Sequence, residues 1–335
     1  MNTGASKFII KLKSELIKYD LPKYNIVTSK KDIHLLSENS QIIGRLDGVA
    51  YYKMTIENFL NLLFLWKGLR VKSPKVLNNV NFFYSNMVIN KYLNRYNKLI
   101  LKKSNKIIFQ SLLSFNMHKK FVNFENNNYK IIFNGAKKNF KNNYNLTKQI
   151  SFVITSNFRP VKRLRDALIL INKLKKKIPN VNLHVIGKID SITANSILNI
   201  DHSSIIYHND LKENEMFEIY NKSFIGISTS IFDPCPNSAI EMLSCGLPVI
   251  STSLSGINEI LDYDKDFIID EDLNFKYYEV QTPKKIPEIN YDDWIEKIIN
   301  ILDNYENMKK KCKYYFEKNI EIEKIARKYA DFIAS

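Results

Sequence analysis

Short apolar runs alternate along the whole chain with stretches in which apolar residues recur every three or four positions. Tyr24 to Thr28, Ile33 to Leu36, Gln41 to Leu46, Lys106 to Ser111 and Tyr129 to Ala136 read as strands. So do Ile150 to Asn157, Asn182 to Gly187, Ser203 to Tyr207, Phe224 to Ser228 and the run opened by Pro248. Between them lie helical stripes. The first carries Phe8, Ile9, Leu12, Leu16 and Ile17; others fill 55–66, 86–99, the residues through His118 and Phe121, those up to Lys177, and 213–220. Three more, over 294–302, 305–316 and 322–333, close the chain. Strands that take turns with helices predict right-handed crossovers and doubly wound parallel sheets.

The densest chemistry lies between Ser230 and Glu259. A Pro-rich polar loop (Asp233-Pro-Cys-Pro236) leads to Asn237 and Ser238, both good helix N-caps, then to a short apolar helix from Ala239 to Cys245. Gly246 suits the left-handed residue that ends a helix, Pro248-Val-Ile reads as a buried strand, and Ser255-Gly256 opens a second helix. In a parallel sheet such turns gather at the carboxyl ends of the strands. There the free N–H groups of helix N-termini suit a phosphate. Asp233 and Glu241 lie eight positions apart, so both carboxylates can face one crevice and accept hydrogen bonds from sugar hydroxyls. Taken singly, Asp233 also fits an ordinary turn, and Glu241 a carboxylate complementing a helix dipole.

Together these residues resemble the family 4 glycosyltransferases of GT-B architecture. Their signature is a carboxylate and a Glu eight positions on, then Cys-Gly-Leu-Pro-Val and Gly-x-x-Glu. Here it stands as Asp233, Glu241, Cys245-Gly-Leu-Pro-Val249 and Gly256-Ile-Asn-Glu259, with Asp at a position where the family more often has Glu. The resemblance implies two Rossmann-like domains facing a cleft, with the last helices crossing back to the first. It implies retaining transfer of a sugar from a nucleotide diphosphate sugar to a hydroxyl acceptor. Glu241 would hold the ribose and Asp233 the donor sugar. Backbone N–H groups around Asn237, Ser238 and Ala239, and around Ser255, Gly256 and Ile257, would face sugar and phosphates, with Pro236 and Glu259 in the same donor site. Lys162 takes the place of the family's phosphate-binding lysine. Asn157 stands where the family's arginine is usual, with Arg159 and Arg163 close by, and Gly187 ends the next strand. In the first domain, Gly4 matches a Gly-rich loop without its preceding strand, and Asp47, in Arg45-Leu-Asp-Gly48, either faces the acceptor hydroxyl or forms a simple Asp-Gly turn.

The polar, Asn-rich 137–148 stretch marks a boundary. It suggests an acceptor-side domain over 1–145, a nucleotide-sugar domain over 146–310, and helices over 311–335 that return to the first. With 335 residues, the chain is long enough for two cores. No apolar run approaches the ~20 residues of a membrane span, and the start lacks signal-peptide order, so a cytoplasmic enzyme at the inner face of the membrane is expected. Three cysteines form no C-x-x-C pair, which argues against a disulfide framework or zinc site.

Net charge is +16, but Lys and Asn abound everywhere, and the charge is scattered rather than striped. Only 91–106, with Lys91, Arg95, Lys98, Lys102, Lys103 and Lys106 among apolar residues, forms a pattern able to lie on an anionic membrane. The expected partners are a nucleotide sugar and a glycan or lipid-linked acceptor, with no nucleic acid and no metal cofactor. Competing readings are a non-catalytic sugar-nucleotide or basic surface-binding protein, an epimerase of the same architecture, and a metal-dependent transferase using Asp262/Asp264, Asp264/Asp266 or Asp270/Asp272.

Overall fold

The computed structural model describes residues 4–28, 32, 34–35, 40–46, 96–122, 128–141, 149–261, 264–271, 286 and 288–335. Its first unit carries four parallel strands, β1 (Tyr24–Val27), β2 (Gln41–Leu46), β3 (Lys106–Phe109) and β4 (Tyr129–Ile131), in that spatial order. Neighbouring residues on a strand face opposite sides, and both sides are covered. Ile26, Ile43 and Ile108 pack with Phe8, Leu12 and Leu16 of helix α1 (Gly4–Leu16), whereas Val27, Ile42, Ile107 and Phe109 join Leu101 and Met117 on the other side. Two-sided burial explains why the inner parts of β1 to β3 read as apolar runs, whereas β4 at the edge is largely exposed. Asp32, His34 and Leu35 form a 3-10 turn, not the strand expected at Ile33 to Leu36.

The second unit is a six-stranded parallel sheet in the order β10-β9-β8-β5-β6-β7. Its strands are β5 (Ile150–Thr155), β6 (Val181–Ile186), β7 (Ile205–His208), β8 (Ile225–Ser228), β9 (Val249–Thr252) and β10 (Ile268–Ile269). Strand order reverses between β5 and β8, which creates a switch point where their carboxyl ends open a crevice. Two elements carried no periodic signal. One is the polar helix Ser191–Ile197, started by the Asp190 carboxylate accepting the Thr193 N–H at 2.7 Å; the other is the two-residue β10.

Two helices, Tyr291–Asp303 and Tyr305–Asn319, bury Trp294, Ile298, Cys312 and Phe316 in the second core. The chain then crosses back at Ile320. The Ala136 N–H donates to the Ile320 carbonyl at 3.2 Å, and the Ile322 N–H to the Ala136 carbonyl at 2.9 Å. The final helix, Ile322–Ala334, lays Ile325, Tyr329 and Ile333 into the first core beside α1. Lys106 fixes its end: the ammonium donates to the Phe332 and Ile333 carbonyls at 2.7 and 3.1 Å, a cation at the negative end of the helix dipole. Lys106 and Ile100 are therefore buried and withdrawn from the expected membrane-facing pattern, whose residues 91–95 lie outside the described ones. Among the described residues, no helix is long and apolar enough to cross a membrane.

Candidate functional site

Two loops close over the switch point. From β5 the chain passes Ser156 and the exposed Asn157 and Arg159, then makes a 3-10 turn at Pro160–Lys162. From β8 it passes Thr229 to Asp233. The loops are laced together, since the Ile231 N–H donates to the Val161 carbonyl at 3.0 Å and the Thr229 hydroxyl to the Lys162 carbonyl at 2.8 Å. This lacing delivers the Lys162 ammonium to the Asp233 carboxylate, and the two form a part-buried ion pair.

The only described residues other than glycine with left-handed backbone flank this pair: Arg163, after Lys162, at φ 51°, and Phe232, before Asp233, at φ 54°. Such a conformation costs on the order of 1–3 kcal/mol and persists where the surroundings impose it. Arg163 turns its fully buried guanidinium inward to Asp166 at 2.9 Å and Glu271 at 2.6 Å, so of the three basic residues expected here its charge is spent inside the unit. Phe232 packs against the core of the first unit. Nothing local in the sequence marks either backbone.

Helix α6 (Asn237–Ser244) starts one step after Pro236, which offers no side-chain cap. The Asn237 and Ser238 N–H groups therefore have no acceptor among the described residues, and Ser238 lines the crevice. Asn237 is not the N-cap that its position suggested. Its side-chain oxygen accepts from the Asn134 amide across the cleft at 2.7 Å, and Asn134 in turn accepts from the buried Arg45 guanidinium at 2.7 Å. Ala239 is buried under the helix start. Thr155, Ser156, Ser228, Ser230, Ser238 and Lys162 line what remains of the crevice, a void of about 10 Å³.

Glu241 lies one turn into α6, its carboxylate with no hydrogen-bond partner among the described residues. Burial pushes its carboxyl up to about 7, against the pull of Lys11 and Lys7 on α1, with Glu213 adding to the push. Lys11 itself crosses between units to pair with Glu213 at 2.6 Å.

Two glycines are fixed by close approach. A Cβ on Gly187, at φ 120°, would stand 2.1 Å from the Ser156 carbonyl oxygen; one on Gly256 would stand 1.8 Å from that of Pro234 and 2.9 Å from the Ser111 hydroxyl of the first unit. Ser255 is buried beside Gly256, its hydroxyl donating to the Asp233 carbonyl at 3.2 Å. Glu259 faces the first unit, accepting the Leu112 and Leu113 N–H groups at 2.7 and 2.8 Å. Gly4 is the first residue of α1, and Asp47 lies outside the described residues. Of the acidic pairs considered for a metal, Asp264 binds the Asp266 N–H at 3.1 Å and Lys311 at 2.6 Å, while Asp262 and Asp272 lie outside the described residues.

The fold with this crevice is that of the GT-B glycosyltransferases. Residues 149–304, the segment that builds the crevice, match the family described as Glycosyl transferases group 1. No curated protein matches the chain. Among solved structures, the chain is similar to a point mutant of S. aureus TarM in complex with UDP, fondaparinux and α-GlcNAc-glycerol (14% identity, TM-score 0.64, 98% of this chain and 59% of that one). It is also similar to the pneumococcal O-GlcNAc transferase GtfA with UDP and GlcNAc (12%, 0.62, 96% and 59%). HepE of Anabaena, with UDP and glucose, is matched over its whole length (12%, 0.57, 94% and 100%). The chain thus spans under three-fifths of the length of TarM and GtfA.

Proposed function

We propose that this protein is a retaining glycosyltransferase that moves a hexosyl group from a nucleoside diphosphate sugar, with UDP as the leading carrier, to a hydroxyl of a glycan or lipid-linked acceptor. Assembly of a cell-surface polysaccharide or lipopolysaccharide is the setting we infer. The carrying observation is the convergence of the Lys162 ammonium, the Asp233 carboxylate and the free N–H groups of Asn237 and Ser238 at one switch point. It lies inside the segment that matches a glycosyltransferase family. UDP in the TarM, GtfA and HepE structures supports the choice of nucleotide.

In this reading the diphosphate takes over Lys162 from Asp233. As the glycosidic bond to the diphosphate breaks, negative charge grows on the phosphate oxygens, and the fixed ammonium and helix N–H groups stabilise it. Arg159, exposed at the mouth of the same turn, adds charge as the donor enters. Asp233, released, accepts a hydroxyl of the sugar, and Glu241 accepts the ribose hydroxyls. The leaving phosphate takes the acceptor's proton, so no protein nucleophile is required. Positive charge comes from the chain itself, which makes the reaction independent of added metal.

Release of nucleoside diphosphate from a panel of nucleotide sugars, with and without simple glycoside acceptors, tests this directly. We expect turnover with a UDP-sugar that persists in EDTA and falls about 10²-fold or more in Lys162→Ala, the scale of losing one preorganised electrostatic donor. A folded protein that releases nothing from any nucleotide sugar, and binds none, contradicts it.

A further inference from the structure

We infer that Glu259 is a latch between the two units, a positioning residue that seats the first unit on the nucleotide-binding unit, and not a ligand of the donor. This rests on the reading of the crevice just given, which assigns the donor to the other side of the loop. Both carboxylate oxygens of Glu259 are engaged. One accepts the Leu112 N–H and the other the Leu113 N–H, across the cleft and 146–147 positions apart in sequence. These two N–H groups open helix α2 (Leu112–Val122), whose cap is Ser111, the hydroxyl accepting the Ser114 N–H at 3.0 Å. A carboxylate on the first two free donors of a helix makes two charge-assisted hydrogen bonds and meets the positive end of the dipole. Burial raises the Glu259 carboxyl above its ordinary range, and the two N–H groups hold it down, so the contact is what makes a part-buried charge tolerable.

The surroundings are built for the same closure. Gly256 is bare where its Cα meets Ser111, Phe232 packs against the first core, and Asn237 reaches Asn134. Ser114 carries the contact on, its hydroxyl donating to the Leu46 carbonyl at the end of β2 at 3.2 Å. Glu259 thus fixes the end of β2 relative to Lys162 and Asp233.

Leu112 offers a test from the opposite unit. It is the first helical residue after its cap, a position where proline fits, and its side chain is half exposed. Leu112→Pro therefore removes one of the two donors without touching the nucleotide-binding unit. In hydrogen exchange read by mass spectrometry, Glu259→Ala is expected to speed exchange of the peptide over 112–116 by about tenfold or more. Leu112→Pro should speed it too, and the double variant no further than Glu259→Ala. UDP affinity should stay at the wild-type value in both single variants, while Glu241→Ala loses it. The proposal is overturned if Glu259→Ala leaves exchange over 112–116 slow, or if it weakens UDP binding as Glu241→Ala does while Leu112→Pro does not. If no nucleotide binds the wild type, the proposed function falls, and the exchange result alone decides the latch.

Discussion

Lys162 and Asp233 neutralise each other in the closed crevice, whereas Glu241 has no such partner among the described residues, and burial holds its carboxyl near 7. Because that value lies above the ordinary carboxylate range, the folded protein holds the proton that the unfolded chain releases. The stability this contributes is complete below about pH 4.5 and is lost as pH rises through 7. Glu241→Gln should therefore be more stable than wild type at pH 8, by at most about 3 kcal/mol, and indistinguishable from it at pH 4.5. Urea unfolding at the two pH values checks this, and equal stability at pH 8 would remove the assigned burial cost. UDP binding should weaken as pH falls below 7, because a protonated Glu241 is the poorer acceptor.

His118 acts in the opposite sense. Its Nδ1 donates to the Ser114 carbonyl at 2.7 Å, and burial depresses it to about 4. The unfolded chain takes up that proton first, so its contribution to stability is lost as pH falls from about 6.5 to 4. At this scale the sequence announced the charged residues and hid the backbone. Lys162, Asp233 and Glu241 stood out by type and spacing. The left-handed Arg163 and Phe232 did not, because neither is a residue type that prefers that conformation.

The loop-to-helix elements are organised by approach distance. The turn at Gly256 brings the Pro234 carbonyl and Ser111 so near that a methyl group has no room. Gly256→Ala is expected to destabilise by about 1–3 kcal/mol, the usual range for overpacking. It should also speed exchange over 112–116, because it forces the same two units apart. An unchanged denaturation midpoint would show that this loop yields freely. Strands β5, β6, β8 and β9 and the long helices were legible because two-sided burial writes apolar runs and one-sided burial writes stripes. Ser191–Ile197 and β10 were not, one being polar and held by a cap, the other two residues long. The start of α6 also differed by a step: Asn237 was read as a cap from its type, but its side chain is taken by Asn134, 103 positions away.

For the whole molecule, the second unit was readable as a phosphate crevice because its parts are local in sequence. The closure was not, because its contacts join Glu259 to Leu112, Asn237 to Asn134 and Lys11 to Glu213 over long separations. The final helix makes the two units one object: its Tyr329 is fully buried in the first core, while the helix before it belongs to the second. Truncating that side chain, Tyr329→Ala, should cost about 3–5 kcal/mol by opening the first core. In scanning calorimetry the first unit should then melt ahead of the second.

Titration calorimetry of the wild-type protein with UDP, GDP and ADP tests the central claim most directly, with Lys162→Ala and Leu112→Pro measured alongside. The account predicts that UDP binds without added metal, that Lys162→Ala loses the binding, and that Leu112→Pro keeps it. Failure of all three nucleotides to bind a folded wild-type protein, or undiminished binding by Lys162→Ala, would contradict it.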